Sequence, residues 1–221
     1  MEVAPLSDLE LIVEEITARL ETTNAVREAT LARSRRIIQH ASKAIRAAHR
    51  AEYVQAEAIL DEAQALVHTL NQTTRDHPLI YAAGYVHDAE KEFAEACLTL
   101  ALVRDAPLPL PQSLAVRDAA YLNGLGEAIG EMRRHSLDLI RQNRLVRAQE
   151  ILQVMEDVYT LLVTVDFPHA ITGNLRRTTD MVRGVLERTR GDITSAMKQQ
   201  ELRDALAQFE SRVRPPLAAD G

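Results

Sequence analysis

The sequence predicts an all-α, single-domain helical bundle, and three observations carry that expectation. Apolar residues recur at helical spacing along nearly the whole chain, and no stretch keeps the strict alternation of a strand. Alanine, leucine, glutamate and arginine dominate a composition with 46% hydrophobic and only 4% aromatic residues, which favours helix. The breaks between helical stretches are short, as in one bundle rather than two domains. At 221 residues the chain can bury a substantial core, and it shows no internal repeat. We therefore expect one helical domain over 1–210 and a flexible C-terminal tail over 211–221.

Composition also excludes some classes. No run of about 18 apolar residues exists, so nothing reads as a membrane span. The acidic start MEVAPLSDLELIVEE lacks the basic-then-apolar order of a signal peptide. A single cysteine, Cys97, cannot close an internal disulfide and reads as a small core residue of a cytoplasmic protein. The net charge of −6 argues weakly against a polyanion partner, but the distribution of charge matters more than its sum.

The first helix is expected over 7–50, capped by Ser7 or Asp8. Its second half, LARSRRIIQHASKAIRAAHR, carries no acid. Ile37, Ile38, Ala41, Ala44, Ile45 and Ala48 fall on one side of the helix. Arg33, Arg35, Arg36, His40, Lys43, Arg46, His49 and Arg50 cover the other. A face that is merely solvated usually mixes in acids, because like charges one turn apart repel. This face is therefore a candidate for anion binding as much as a solvated one.

A shorter helix follows over 53–73, with Ile59, Leu60, Leu66 and Val67 among its apolar residues. TTRDHP breaks it, since the residue before Pro78 is pushed out of the helical region. Helix resumes over 79–103, with Phe93, Ala94, Cys97, Leu98, Leu100 and Ala101 on one side and Asp88, Glu92, Glu95 and Thr99 on the other. DAPLPLPQ, 105–112, is the clearest connector. Helices over 113–142 and about 145–164 come next, then the loop VDFPHAITGN and a last helix or helix pair over about 174–210.

The stretch SLAVRDAAYLNGLGEAIGEMRRH, 113–135, is unusual within this frame. It spends Gly124, Gly126 and Gly130 inside a helical pattern, at about 1 kcal/mol each against alanine. A chain accepts that cost where backbones pack closely or where room is left for something else. Glu127 and Glu131 lie four apart on this helix, and Glu92 and Glu95 three apart on the earlier one, so each pair shares a face. Taken alone they fit either a solvated surface or an acidic metal site.

Several stretches, in order, resemble the translin family: SRRIIQHASKAIRAAHR, KEFAEA, YLNGLGEAIGEMRR, MEDVYTLLVTVDFP and GNLRRTTDMVRGVLERTRGD. The resemblance implies an all-α bundle of about seven helices that assembles into a hollow homo-octamer. It implies binding of single-stranded RNA and single-stranded DNA. In the translin-associated factor X branch it implies Mg²⁺-dependent endoribonuclease activity on four acids. Those acids carry over to Glu92 and Glu95 in KEFAEA and to Glu127 and Glu131 in GLGEAIGEMRR, where the family often has aspartate in place of Glu127. The nucleic-acid-binding residues expected are Arg33, Arg36, His40, Lys43, Arg46 and Arg50. The translin branch, which lacks the full acid set, implies the alternative of a non-catalytic single-stranded RNA/DNA-binding scaffold.

Elementary chemistry agrees with a metal site of this kind. Four carboxylates brought together repel unless a cation sits among them. An all-oxygen set suits Mg²⁺ or Mn²⁺ rather than zinc. Such an ion positions and activates water and offsets charge on a phosphodiester. Because each pair lies opposite its helix's apolar side, the site is expected to open to water. His135 reads as solvated or packed rather than as a substrate contact, and Arg176 and Arg177 as partners of acids such as Asp157 or Glu156 rather than as contacts to nucleic acid. A carboxylate-bridged di-iron bundle would need two Glu-x-x-His pairs, and the chain has none.

Overall fold

The computed structural model describes residues 6–213, with side chains from residue 8. Among these residues it contains nine helices and no strand: α1 (Leu6–His49), α2 (Tyr53–Thr74), α3 (Pro78–Tyr81), α4 (Gly84–Val103), α5 (Pro111–Leu114), α6 (Asp118–Arg141), α7 (Leu145–Val163), α8 (His169–Thr172) and α9 (Leu175–Val213). Six are long. α3 and α5 are single turns at the starts of expected helices, and α8 is a single turn within the stretch expected as the loop VDFPHAITGN. Each begins at or just after a proline: Pro78 opens α3, Pro111 opens α5, and Pro168 precedes α8. His77, before Pro78, is held off the helical region at φ −127°, ψ 68°. The stretch expected as one helix over 113–142 is broken after α5 by Ala115 in the left-handed region, at φ 54°. The last stretch is one helix, not a pair, and runs through Val213; the rest of the expected tail lies outside the described residues. No helix among the described residues is long and apolar enough to cross a membrane.

The chain divides into two compact units, residues 1–128 with 167–175, and residues 129–166 with 176–221. In the first, α1 packs along α2 and α4. Ile37, Ala41, Ala44, Ile45 and Ala48 of α1 are buried with Leu60 and Val67 of α2 and Phe93, Ala94 and Leu98 of α4. These are the apolar stripes read from the sequence, and alanine-rich faces allow the helix axes to approach closely. Leu9, Leu11, Ile12, Val13, Ile16 and Leu20 of α1, in contrast, are exposed. In the second unit, Ile129, Met132 and Leu139 of α6, Ile151, Met155 and Leu162 of α7, and Val182, Leu186 and Ile193 of α9 are buried. Arg133 ties α6 to α9 through Asp192 at 2.7 Å, and Arg190 ties α9 to α7 through Glu156 at 2.6 Å.

Glu156 is therefore taken by Arg190, and Asp157 accepts from Gln153 at 2.9 Å. The structural pairing expected for Arg176 and Arg177 is not formed; both are exposed, with no ion pair among the described residues. Both lie at the very start of α9, about four turns before Arg190, beyond the reach of acids facing that later stretch.

A candidate acidic metal centre on α4 and α6

The site begins with a glycine. A Cβ at Gly124 would lie 2.7 Å from the Lys91 carbonyl oxygen and 2.9 Å from the Glu95 backbone nitrogen. Only a residue without a side chain lets α6 rest on the α4 backbone there. Glu127, three residues on, shares that face of α6 and is carried to the same stretch of α4. Glu92 and Glu95 project from α4 at that point. One carboxylate oxygen from each of Glu92, Glu95 and Glu127 lies within 4.8 Å of the others. Close packing thus explains Gly124, whereas a Cβ at Gly130 would meet nothing within 4 Å.

Glu131, the fourth acid expected, follows one turn later on α6, in the part of that helix belonging to the second unit, and is not among the three that converge. Its carboxylate lies 4.0 Å from Arg134. His135 is half-buried beside it in sequence.

The centre is less open than the helical pattern suggested. Glu95 is buried at 9% exposure, Thr99 is fully buried, and Glu92 and Glu127 are half-buried. α4 is packed along most of its circumference, so the side opposite Phe93 and Leu98 also meets protein. Lys91, which the sequence reading passed over, lies inside the cluster. Its Nζ donates to Glu127 Oε1 at 2.7 Å and lies 3.4 Å from Glu92 Oε1. Burial alone would lower the Lys91 ammonium's pKa. The Glu127 hydrogen bond and the charges of Glu127 and Glu92 more than offset that and hold it above the usual lysine range.

The donor set fits a hard divalent cation. Oxygens sharing one Mg²⁺ at about 2.1 Å are at most about 4.2 Å apart. The three oxygens lie within 4.8 Å of one another, a spread that flexible glutamate side chains can close by rotation.

A second polar group braces the floor of this region and was also missed. Glu90, 1% exposed, accepts from Arg117 Nε at 2.6 Å, and the Arg117 guanidinium stacks 4.6 Å from the Tyr81 ring centroid. Burial raises the Glu90 carboxyl's pKa, with Arg117 opposing it. The available signal was an acid three residues before Phe93 and four before Ala94, on the apolar side of α4. The GNLRR stretch reaches the same unit. Gly173, at φ 58°, lies where a Cβ would come within 2.8 Å of the His87 ring. Asn123, next to Gly124, donates to the Thr172 carbonyl at 2.8 Å.

The basic face of α1 is partly absorbed by its own chain. Arg33 donates to Thr73 at 3.3 Å, His40 meets Glu62 at 3.1 Å, and Arg50 pairs with Glu52 at 2.6 Å. Arg35, Arg36, Lys43 and Arg46 remain exposed, with no ion pair among the described residues. Cys97 packs against the core, and burial pushes its thiol up to about 12, out of range for thiolate chemistry.

No protein-family model matches the chain. A crystal structure of AfC3PO superposes with a TM-score of 0.76 at 32% sequence identity, covering 85% of this chain and 97% of AfC3PO. This chain belongs to the translin (C3PO) family. AfC3PO in complex with duplex RNA is similar at 31% identity and a TM-score of 0.75, with 85% of this chain and 97% of that one covered. A crystal structure of apo-NeC3PO, at 20% identity and a TM-score of 0.74, shares the fold of the family. An uncharacterized protein of Methanocaldococcus jannaschii is 30% identical over 193 residues, 86% of this chain and 85% of that protein. The residues Glu92, Glu95, Asn123, Gly124, Glu127 and Gly173 of the stretches that resemble the family all lie in one unit of this chain.

Proposed function

We propose that this chain is an RNA-binding, metal-dependent endoribonuclease of the translin type. The observation that carries the proposal is the convergence of Glu92, Glu95 and Glu127 across the Gly124 crossing. Glu92, Glu95 and Glu127 would hold Mg²⁺ or Mn²⁺, with Glu131 as the fourth acid the family resemblance implies. When bound, the ion would supply charge neutralisation at the phosphodiester and activation of water. The rest belongs to the protein's own groups. The buried Glu95 fixes one side of the centre, and the half-buried Glu92 and Glu127 form the side open to a substrate. Arg35, Arg36, Lys43 and Arg46 offer phosphates a line of positive charge on a rigid helix. The complex of AfC3PO with duplex RNA supports RNA as the ligand class, and single-stranded RNA is the substrate we propose for cleavage. The uncovered apolar residues at the start of α1 and at Leu202, Leu206 and Phe209 of α9 support self-association, for which we propose the hollow homo-octamer of the family.

One observation favours a second reading. Lys91 already neutralises part of the acid cluster, which is how a structural ion-pair group looks in a non-catalytic RNA-binding scaffold. Incubation with end-labelled single-stranded and duplex RNA, with Mg²⁺, with Mn²⁺ and with chelator, separates the two. Cleavage of single-stranded RNA that chelator stops supports the enzyme. Binding without cleavage under every ion supports the scaffold. Light scattering at micromolar concentration tests assembly, and a monomer would refute it.

A further inference from the structure

Lys91 is a cation seated against two of the three converging acids, and its place is set by the backbone. Its carbonyl is one of the two α4 groups against which Gly124 rests, so its Cα is fixed by the same crossing that brings Glu127 in. From there its ammonium bridges Glu127, at 2.7 Å, and Glu92, at 3.4 Å. The Lys91 side chain is 18% exposed, so the pairing is shielded from salt more than a surface bridge would be. The oxygens it holds belong to two of the three acids that would hold a divalent ion. An ammonium and a metal ion both draw on the Glu92 and Glu127 carboxylates, and two cations brought that close repel.

We propose that Lys91 is an internal counter-ion that competes with the divalent cation for Glu92 and Glu127, and so sets the metal affinity of the centre. The inference rests on the metal-centre reading above. Lys91 here is a positioning residue: it keeps Glu92 and Glu127 drawn together, and it must swing aside when a metal ion takes their oxygens. A lysine can do so because its charge sits on a flexible four-carbon stem. Two consequences oppose each other in sign. Removing the ammonium leaves Glu92 and Glu127 without this counter-charge, which destabilises the chelator-treated protein. It also removes the competitor, which tightens metal binding. A lysine that merely braces the two helices would, when removed, lower stability and metal affinity together.

The test is calorimetric titration of the full chain with Mn²⁺ in the absence of RNA, alongside melting with chelator and with Mn²⁺. Lys91→Gln should melt below wild type in chelator, bind Mn²⁺ at least about tenfold more tightly, and gain more in Tm on Mn²⁺ addition. Lys91→Arg keeps the charge and can engage the carboxylates bidentately, so it should fold like wild type and bind Mn²⁺ no more tightly. Wild-type binding together with unchanged or weaker binding by Lys91→Gln overturns the inference and leaves the metal centre standing. Tighter binding by Lys91→Arg also overturns it, and decides the matter should Lys91→Gln fail to fold. If neither wild type nor Lys91→Gln binds Mn²⁺, the metal centre itself is refuted and the inference with it.

Discussion

The two charged regions of the first unit are built on opposite plans. The acids of α4 and α6 are few, half-buried or buried, and held by a backbone contact at Gly124. The bases of α1 are many, and those with no ion pair among the described residues are exposed. Where a group is desolvated, its charge is expensive, so geometry and a counter-charge such as Lys91 must accompany it. Where it is exposed, charge is cheap and position matters little. The first plan suits a centre that must hold an ion within a few tenths of an ångström. The second suits a surface that follows a flexible polyanion. Each prediction below tries to break one side of that contrast.

The largest effect is expected at the acids. Glu95→Gln and Glu127→Gln keep shape but remove the charge that would hold the ion. Either should lower the single-turnover rate of RNA cleavage by on the order of a hundredfold or more. RNA affinity and assembly should stay at wild-type values. A double variant that cuts as fast as wild type would show that the centre is not where cleavage occurs.

Next comes the crossing itself. A methyl group at position 124 would press on two backbone groups of α4, and neither can rotate away. Gly124→Ala should therefore destabilise despite alanine's better helix propensity. An overpacking cost of about 1–3 kcal/mol exceeds the gain of about 1 kcal/mol. Thermal melting should show a drop of roughly 3 °C, with weaker Mn²⁺ binding because Glu127 moves off Glu92 and Glu95. The same substitution at Gly130, where a Cβ meets nothing within 4 Å, is the control and should raise Tm slightly. Equal behaviour at both positions would remove the crossing from the account.

The basic face calls for a distributed, smaller effect. Replacing Arg36, Lys43 and Arg46 with Gln removes three charges that no acid among the described residues holds. If all three meet phosphate, the salt dependence of single-stranded RNA binding should flatten by about 2 in log–log slope. Any one replacement should change it by less than 1. Arg50→Gln should matter least, since Arg50 is already paired with Glu52. An unchanged slope in the triple variant would make the face a solvated one.

How legible this was in the sequence follows the same contrast. The long helices, their apolar stripes and the acid pairs could be read because each depends on spacing within a single helix. Ile37, Ala41 and Ala44 are buried where the 3.6-residue pattern put them. What could not be read depends on register between helices. Gly124 was recognisable as a costly residue, but not as the seat of Lys91 and Glu95. Lys91 carried no signal, because nothing in its own helix says that Glu127 comes to it from α6. The αL turn at Ala115 was invisible because alanine seldom adopts it. Arg176 and Arg177 misled for a related reason, since their expected acid, Glu156, is claimed by a later turn of the same helix.

The smallest effect concerns His87, which stands between the two plans: half-buried, and beside charges of both signs. Burial depresses its pKa first, and the Arg117 guanidinium lowers it further; Lys91 acts in the same direction, while Asp88 and Glu127 oppose. The folded protein therefore holds a proton on His87 less tightly than the unfolded chain does. Its neutral ring contributes stability that is present above the usual histidine pKa of about 6.5 and is lost as pH falls through the lower folded value. The Tm of wild type should accordingly decline more steeply between pH 7 and pH 5 than that of His87→Gln, by at most about 3 °C. The glutamine keeps some of the packing under Gly173 but cannot titrate, so the two curves should converge toward acid. Parallel curves would mean that His87 is protonated as easily folded as unfolded, and that water reaches it despite the Gly173 contact. The cation-rich setting of Arg117 and Lys91 would then be screened, and the boundary between the desolvated centre and the solvated surface would run between His87 and Lys91 rather than outside both.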